Sequence, residues 1–168
     1  VGTDQYTVLA NRIENAVAKH RSQQTAKQQK KRLELLFQES PFGAIQWDDE
    51  FSVKRLNKRA TEILGYAEAE LRGESWDAIV APEDRGRVGE VVDSLLANAG
   101  GEHIINENVR ADGEVVTCEW HNRVVTDSDG EVVSIFSKFR DITDKRRHET
   151  DLKRYKTIIE ALTDAVYV

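Results

Sequence analysis

The chain has 168 residues, 39% of them hydrophobic and 32% charged, with 24 basic and 30 acidic side chains for a net charge of −6. That composition suits one compact domain with accessory segments and excludes a disordered tail; no apolar run is long enough to span a bilayer, so no membrane partner is expected. Residues 40–141 hold 21 acidic against 11 basic side chains, an acidic middle that offers no surface to a phosphate backbone, so no nucleic-acid partner is expected either.

The single Cys118 can form neither an internal disulfide nor a thiolate metal centre, and no secretory signal pattern is present. A cytoplasmic location is the expectation. A chain that begins at Val1 and contains no Met reads as a piece of a longer protein.

From residue 3 to about 38 there is neither Gly nor Pro, and Leu9, Ile13, Ala16 or Val17, and His20 recur at helical spacing. One long helix is predicted, with a polar middle, KHRSQQTAKQQKKR, that reads as a solvated basic face because no aromatic residues interleave it. SPFGAIQWDDEFSVKRLN then supplies Pro41 and Gly43 as helix breakers, a strand over 44–47, an acidic turn, and a second strand over 51–56. NKRATEILGYAEAELRG carries Ala60, Ile63 and Leu64 at helical spacing up to Gly65, followed by a short helix ended by Gly73. Pro82 suits the first turn of a helix running to about Asn98, with Val88, Val91, Val92, Leu95 and Leu96 as its apolar stripe.

Three alternating runs follow, 102–110, 115–125 and 132–140, and the Asp-Gly pairs in ADGE and DSDGE between them signal hairpins. Two strands, several short helices and a three-strand meander imply an antiparallel sheet with helices segregated on one face, an α+β fold. The last strand then runs without a turn, within SIFSKFRDITDKRRHE, into a charged helix whose Leu152, Tyr155, Ile159 and Leu162 keep heptad spacing. RLELLFQESPFGAI returns 122 residues later as RYKTIIEALTDAVY, pairing Arg32 with Arg154, Leu36 with Ile158, Phe37 with Ile159 and Gly43 with Ala165.

Catalytic patterns are weak. His148-Glu149 is similar to a histidine-kinase phosphoacceptor box, but TDLKR after it lacks the Pro that the box carries, and no nucleotide-binding glycine motif follows. Cys118 and His121 are three apart in a strand and point to opposite faces, so they cannot act together on a metal or a substrate. His20, His103, His121 and His148 lie on different elements without zinc-site spacing, and no metal is expected.

ESPFGAIQWDD, NKRATEILGYAEAELRG, APEDR, VRADGEVV, DGEVVSIF and above all FRDIT, in that order across roughly residues 33–147, resemble a PAS domain with its PAC segment. The resemblance implies a five-stranded antiparallel sheet cupping a small cavity beneath short helices, flanked by long N- and C-terminal linker helices. It implies a sensory or interaction module of prokaryotic or haloarchaeal signal-transduction sensors, including two-component systems. Residues 1–32 are similar to the last helix of a receiver domain, without that family's phosphoacceptor Asp or Lys. Residues 33–143 are then the PAS/PAC domain, 144–161 a signalling linker helix, and 162–168 the start of a truncated second PAS domain. Adjacent receiver, PAS and output domains in a parent chain follow from that arrangement. RDIT falls where the last strand of such domains enters the linking helix, which makes Asp141, Ile142 and Thr143 the signal-relay residues. Asp141 or Thr143 can cap the helix, and Asp144 opposes its dipole.

The same family tests cofactors by position. Flavin-binding members carry a reactive Cys where ESWDAI here has Trp76, and haem-binding members use a His on the long helix, where 82–98 has none. Neither flavin nor haem is expected. Matching the Gly-centred turns puts Asn108 and Cys118 at two flavin-contacting positions. Strand alternation turns Asn106, Val116, Trp120, Ile135, Ser137 and Phe139 inward with Ile45 and Trp47, and Trp76 and Ile79 complete the candidate ligand-binding set. These suit a small planar aromatic molecule held by stacking and a few hydrogen bonds; alternatively the tryptophans only fill the core. The function expected is a sensory module without catalysis that binds a small ligand in its cavity and relays the change through the flanking helices; the alternatives are first a ligand-free relay and dimerisation module, then a phosphotransfer helix fragment of a histidine kinase. A homodimer through the N-terminal helix and the exposed sheet face is expected in the first two.

Overall fold

Pro41 and Gly43 do stop the first helix. In the computed structural model, which describes the backbone of residues 2–98, 100–101 and 103–166 and the side chains of 6–98, 100–101 and 103–162, α1 (Gly2–Gln38) ends just before them and β1 (Gly43–Trp47) begins. The chain divides into two compact units, Val1–Glu39 and Ser40–Val168. In the first, Leu9, Ile13 and Val17 are exposed.

β2 (Val53–Leu56) pairs antiparallel with β1, Ile45 opposite Leu56. It begins two residues later than the alternation predicts. The acidic turn folds around Asp48, whose carboxylate accepts from the amides of Glu50 and Ser52, and Phe51 takes a left-handed φ of 60° inside that turn. α2 (Lys58–Leu64) is capped by the fully buried Asn57, which accepts from the Ala60 and Ala44 amides and donates to the Phe42 carbonyl. One side chain thus starts the helix and pins it to β1, contributing the roughly 1 kcal/mol of a cap and more for its buried partners. Gly65 closes α2 with φ 78°, a conformation glycine adopts without strain.

α3 (Glu68–Leu71) and a 3-10 turn at Trp76–Ala78 follow. Pro82 opens a second 3-10 turn, Pro82–Asp84, rather than an α-helix, because the Asp84 carboxylate turns away to accept from the Glu107 amide and from Arg87. α4 (Arg85–Leu96) then buries Val88, Val92 and Leu95, with Val91 and Leu96 half-buried.

β3 (His103–Val109), β4 (Val115–Thr126) and β5 (Val132–Asp141) complete a five-stranded antiparallel sheet in the order β2-β1-β5-β4-β3. β5 lies in the centre because it pairs with both β1 and β4. Ile45, Leu56, Leu64, Ile79, Leu95, Ile135 and Phe139 are all less than 2% exposed, and they place one core between the inner face of the sheet and the short helices. Each such aliphatic side chain contributes roughly 1.5–3 kcal/mol through burial. The expected α+β architecture is the observed one.

α5 (Thr143–Val166) continues beyond the expected boundary at 161. Thr163 and Ala165 stand where the first copy of the repeat has Pro41 and Gly43, so nothing in the sequence stops the helix. Of the stretch assigned to a second domain, 162–168, the backbone is helical to Val166, and its last two residues lie outside those described. Among the described residues no helix is long and apolar enough to cross a membrane.

Candidate functional site

Between α4 and the inner face of the sheet lies a cavity of about 30 Å³, walled by Trp47, Phe51, Trp76, Trp120, Ile79, Val80 and Ile104, by the α4 residues Val88, Val91, Val92 and Leu95, and by Asn106, Asn122 and Ser137. A water needs roughly 10–15 Å³ of such space, so the cavity has room for about two. Sites for drug-sized ligands measure roughly 300–1,000 Å³.

Six of the predicted residues meet there: Trp47, Trp76, Ile79, Asn106, Trp120 and Ser137. Ile45, Asn108, Cys118, Ile135 and Phe139 do point inward and are at most 1% exposed, but they do not line the cavity. Phe139 is covered by Trp120, stacked on it with centroids 4.0 Å apart, and its ring fills the space above Gly43, where a Cβ would come within 2.6 Å of it. Cys118 is fully buried, paired with Asn106 on one side and Asp141 on the other. Burial, with the nearby Asp141 carboxylate, pushes its thiol up to about 12, so it supplies no thiolate nucleophile or metal ligand.

Asn122 is the main omission from the sequence reading, although it continues the inward phase of Trp120 at one further step of two. Two hydrogen-bond networks hold the polar wall. In one, the Trp47 indole N–H donates to Ser137 Oγ (2.8 Å), Ser137 donates to Asn122 Oδ1 (2.7 Å), and Asn122 Nδ2 donates to the Gly101 carbonyl (3.0 Å). In the other, Asn108 Oδ1 accepts from Trp120 Nε1 (3.0 Å) and Asn106 Nδ2 (3.2 Å), while Asn108 Nδ2 donates to the Ile79 carbonyl (2.9 Å). Asn106 Nδ2 also reaches the Glu107 carbonyl, but the amide oxygen of Asn106 accepts from no described residue. Trp76 is half-buried and is the aromatic wall nearest solvent.

Next to the cavity, Asp84 fastens the turn before α4 to β3. Burial raises its carboxyl, but hydrogen bonds from the Glu107 amide and from Arg87, with the charge of that guanidinium, outweigh this and hold it below the usual carboxylate range.

The relay residues lie together at the end of β5. Ile142 is buried and donates its N–H to the Thr117 carbonyl (2.8 Å), while the Thr117 N–H donates to Thr143 Oγ1 (2.9 Å). Asp141 Oδ1 accepts from both the amide (2.8 Å) and the hydroxyl (2.6 Å) of Thr143. Of the two candidate caps, Asp141 therefore serves the helix end, and Thr143 ties that end to β4. Asp144 sits in the first turn as expected.

The outer face of the sheet holds a juxtaposition that residue spacing did not reveal. His103 on β3 stands directly opposite His121 on β4, with Glu119 beside them. The two histidines are 18 residues apart, and only strand register brings them together.

Residues 37–147 match the family model described as PAS fold. The PAS domain of an HTR-like protein from Haloarcula marismortui is 25% identical with a TM-score of 0.60, over 73% of this chain and 99% of that one. A sensory box histidine kinase/response regulator from Burkholderia thailandensis E264 is 21% identical with a TM-score of 0.61, over 77% of this chain and 98% of that one. The N-terminal domain of a diguanylate cyclase with PAS/PAC sensor from Marinobacter aquaeolei is 18% identical with a TM-score of 0.56, over 62% and 98%. No curated protein matches the chain significantly in sequence.

Proposed function

We propose that this chain, which belongs to the PAS-fold family, is a signalling module that passes changes in its sheet to α5 and works as a homodimer without catalysis of its own. The observation that carries the reading is the double link from Thr117 to Ile142 and Thr143. Because the first turn of α5 is hydrogen-bonded to β4 as well as continuous with β5, a slide of β5 along β4 must move the helix axis. A flexible turn at this place would absorb it. The structural neighbours support the signalling role, since two of them carry sensor or kinase names.

Leu152, Tyr155, Ile159 and Leu162 are each 62–68% exposed along one stripe of α5, which favours its pairing with a second copy. The exposed Leu9, Ile13 and Val17 support the same reading for α1. Receiver, further PAS and output domains in a parent chain, and a cytoplasmic setting, belong to this proposal. His148 is exposed on α5, and the TDLKR that follows lacks the Pro of a phosphoacceptor box, which disfavours the phosphotransfer reading.

Ligand sensing is the second reading, favoured by the aromatic walls and by the Asn106 amide oxygen, which accepts from no described residue. A planar aromatic molecule would need Trp76 to swing outward, because a cavity of about 30 Å³ is too small for it. Neither flavin nor haem forms part of the proposal.

Native mass spectrometry of the purified chain separates the readings. A dimer without bound small molecule supports the relay, a stoichiometric retained ligand supports sensing, and a bare monomer counts against both. The lever itself is tested by Asp141→Ala, whose lost cap lowers stability by only about 1 kcal/mol. Hydrogen exchange should accelerate in the first turn of α5 and leave the β4–β5 ladder protected. Unchanged exchange at 143–147 would refute the role given to Asp141.

A further inference from the structure

We propose that His103, Glu119 and His121 form a binding site for a divalent transition metal ion on the outer face of the sheet. The three residues come from two paired strands: His103 and His121 are directly opposite, their ring centroids 4.7 Å apart, and Glu119 projects from the same face as His121 two residues earlier. One ligand atom from each lies within 4.8 Å of the others. His103 Nε2 and Glu119 Oε1 are 3.3 Å apart, close to the edge of about 3.4 Å that bonds of 2.0–2.1 Å give a tetrahedral site. Only the His121 ring nitrogen must move in, by at most about 1.4 Å, and a χ rotation of an exposed side chain supplies that.

The surroundings fit a ligand set with open positions. Arg140 Nε donates to Glu119 Oε2 (2.6 Å), which orients the carboxylate and leaves Oε1 to the metal. His103 is half exposed, so water completes the coordination. Two imidazoles and one carboxylate suit zinc, nickel, cobalt or copper and not magnesium or calcium, which take oxygen ligands. Arg140, Lys138 and Arg123 around the site oppose a cation, and they set its affinity below that of a closed structural centre. Cys118 lies on the opposite face of β4 and takes no part.

The test is calorimetry and thermal unfolding of the whole chain, stripped with EDTA and then titrated with zinc, nickel or magnesium chloride. One zinc or nickel per chain and a melting temperature that rises with metal are expected, because an ion bound only by the folded state stabilises it; magnesium should do neither. His103→Ala and His121→Ala should each weaken zinc binding at least about tenfold, with unfolding in EDTA close to that of the parent chain since both side chains are exposed. His20→Ala and His148→Ala should bind as the parent does. Absence of binding by both zinc and nickel, undiminished binding in the His103 and His121 variants, or one metal per two chains would overturn the site.

Discussion

Trp120→Ala is expected to lower the stability of the domain by about 4 kcal/mol, the range for removing a buried tryptophan from a packed core. Three effects add in one direction. The indole is 6% exposed and stacks on Phe139 at 4.0 Å and 20°, so its contact area is lost. Its volume joins the neighbouring cavity, whose lining loses those contacts. Asn108 Oδ1 loses one of its two donors. Urea unfolding measures the total, and Trp120→Phe separates the parts: it keeps a ring on Phe139 but drops the indole N–H, for an expected loss of about 1–2 kcal/mol. A loss below about 1 kcal/mol for Trp120→Ala would mean the indole is not an integral part of the core. The enlarged cavity also gives a ligand assay, since added indole should restore part of the lost melting temperature.

Asn108→Leu should cost about 3 kcal/mol, although the two side chains are similar in size. Asn108 is 0% exposed and serves three partners: the Ile79 carbonyl, the Trp120 indole and the Asn106 amide. Leucine leaves the Trp120 indole N–H without its acceptor and the Ile79 carbonyl with the Val109 amide alone, and a buried orphan costs roughly 1–3 kcal/mol on top of the hydrogen bonds lost. The effect should be local as well as global. Val80 forms a β-bridge with Asn108, and the Val109 and Ala81 amides donate to the Ile79 and Glu107 carbonyls, so the Asn108 side chain adds one further bond where the chain at 79–81 meets β3. Hydrogen exchange at Val109 and Ala81 should accelerate more than at the centre of β4. Stability within about 1 kcal/mol of the parent would refute the hub role. As a ligand contact, its role in the sequence reading, Asn108 could be replaced at little cost to folding; as a hub it cannot.

Local patterns decided the elements. Strand alternation in HIINENV and VVTCEWHNRVVT put the right side chains on the inner face, because successive residues of a strand must face opposite ways. Pro41 and Gly43 marked the end of α1, and the Asp-Gly turns marked the meander, because each acts through its own φ preference and needs no distant partner. The candidate site was legible only in part for the same reason. Inward phase identified Trp47, Asn106, Trp120 and Ser137, yet it could not say that Phe139 would lie beneath Trp120 or that α4 would close the cavity to about 30 Å³.

What the sequence determined by itself was therefore the order, type and facing of the elements, and through the FRDIT junction the continuity of β5 with α5. What only the tertiary structure decided was which groups meet: Asn57 with Ala44, Trp47 with Ser137, Thr117 with Thr143, and His103 with His121. Those meetings depend on strand register and on the packing of helices against the sheet. A one-residue slip leaves every local preference of a strand intact while changing all of its partners.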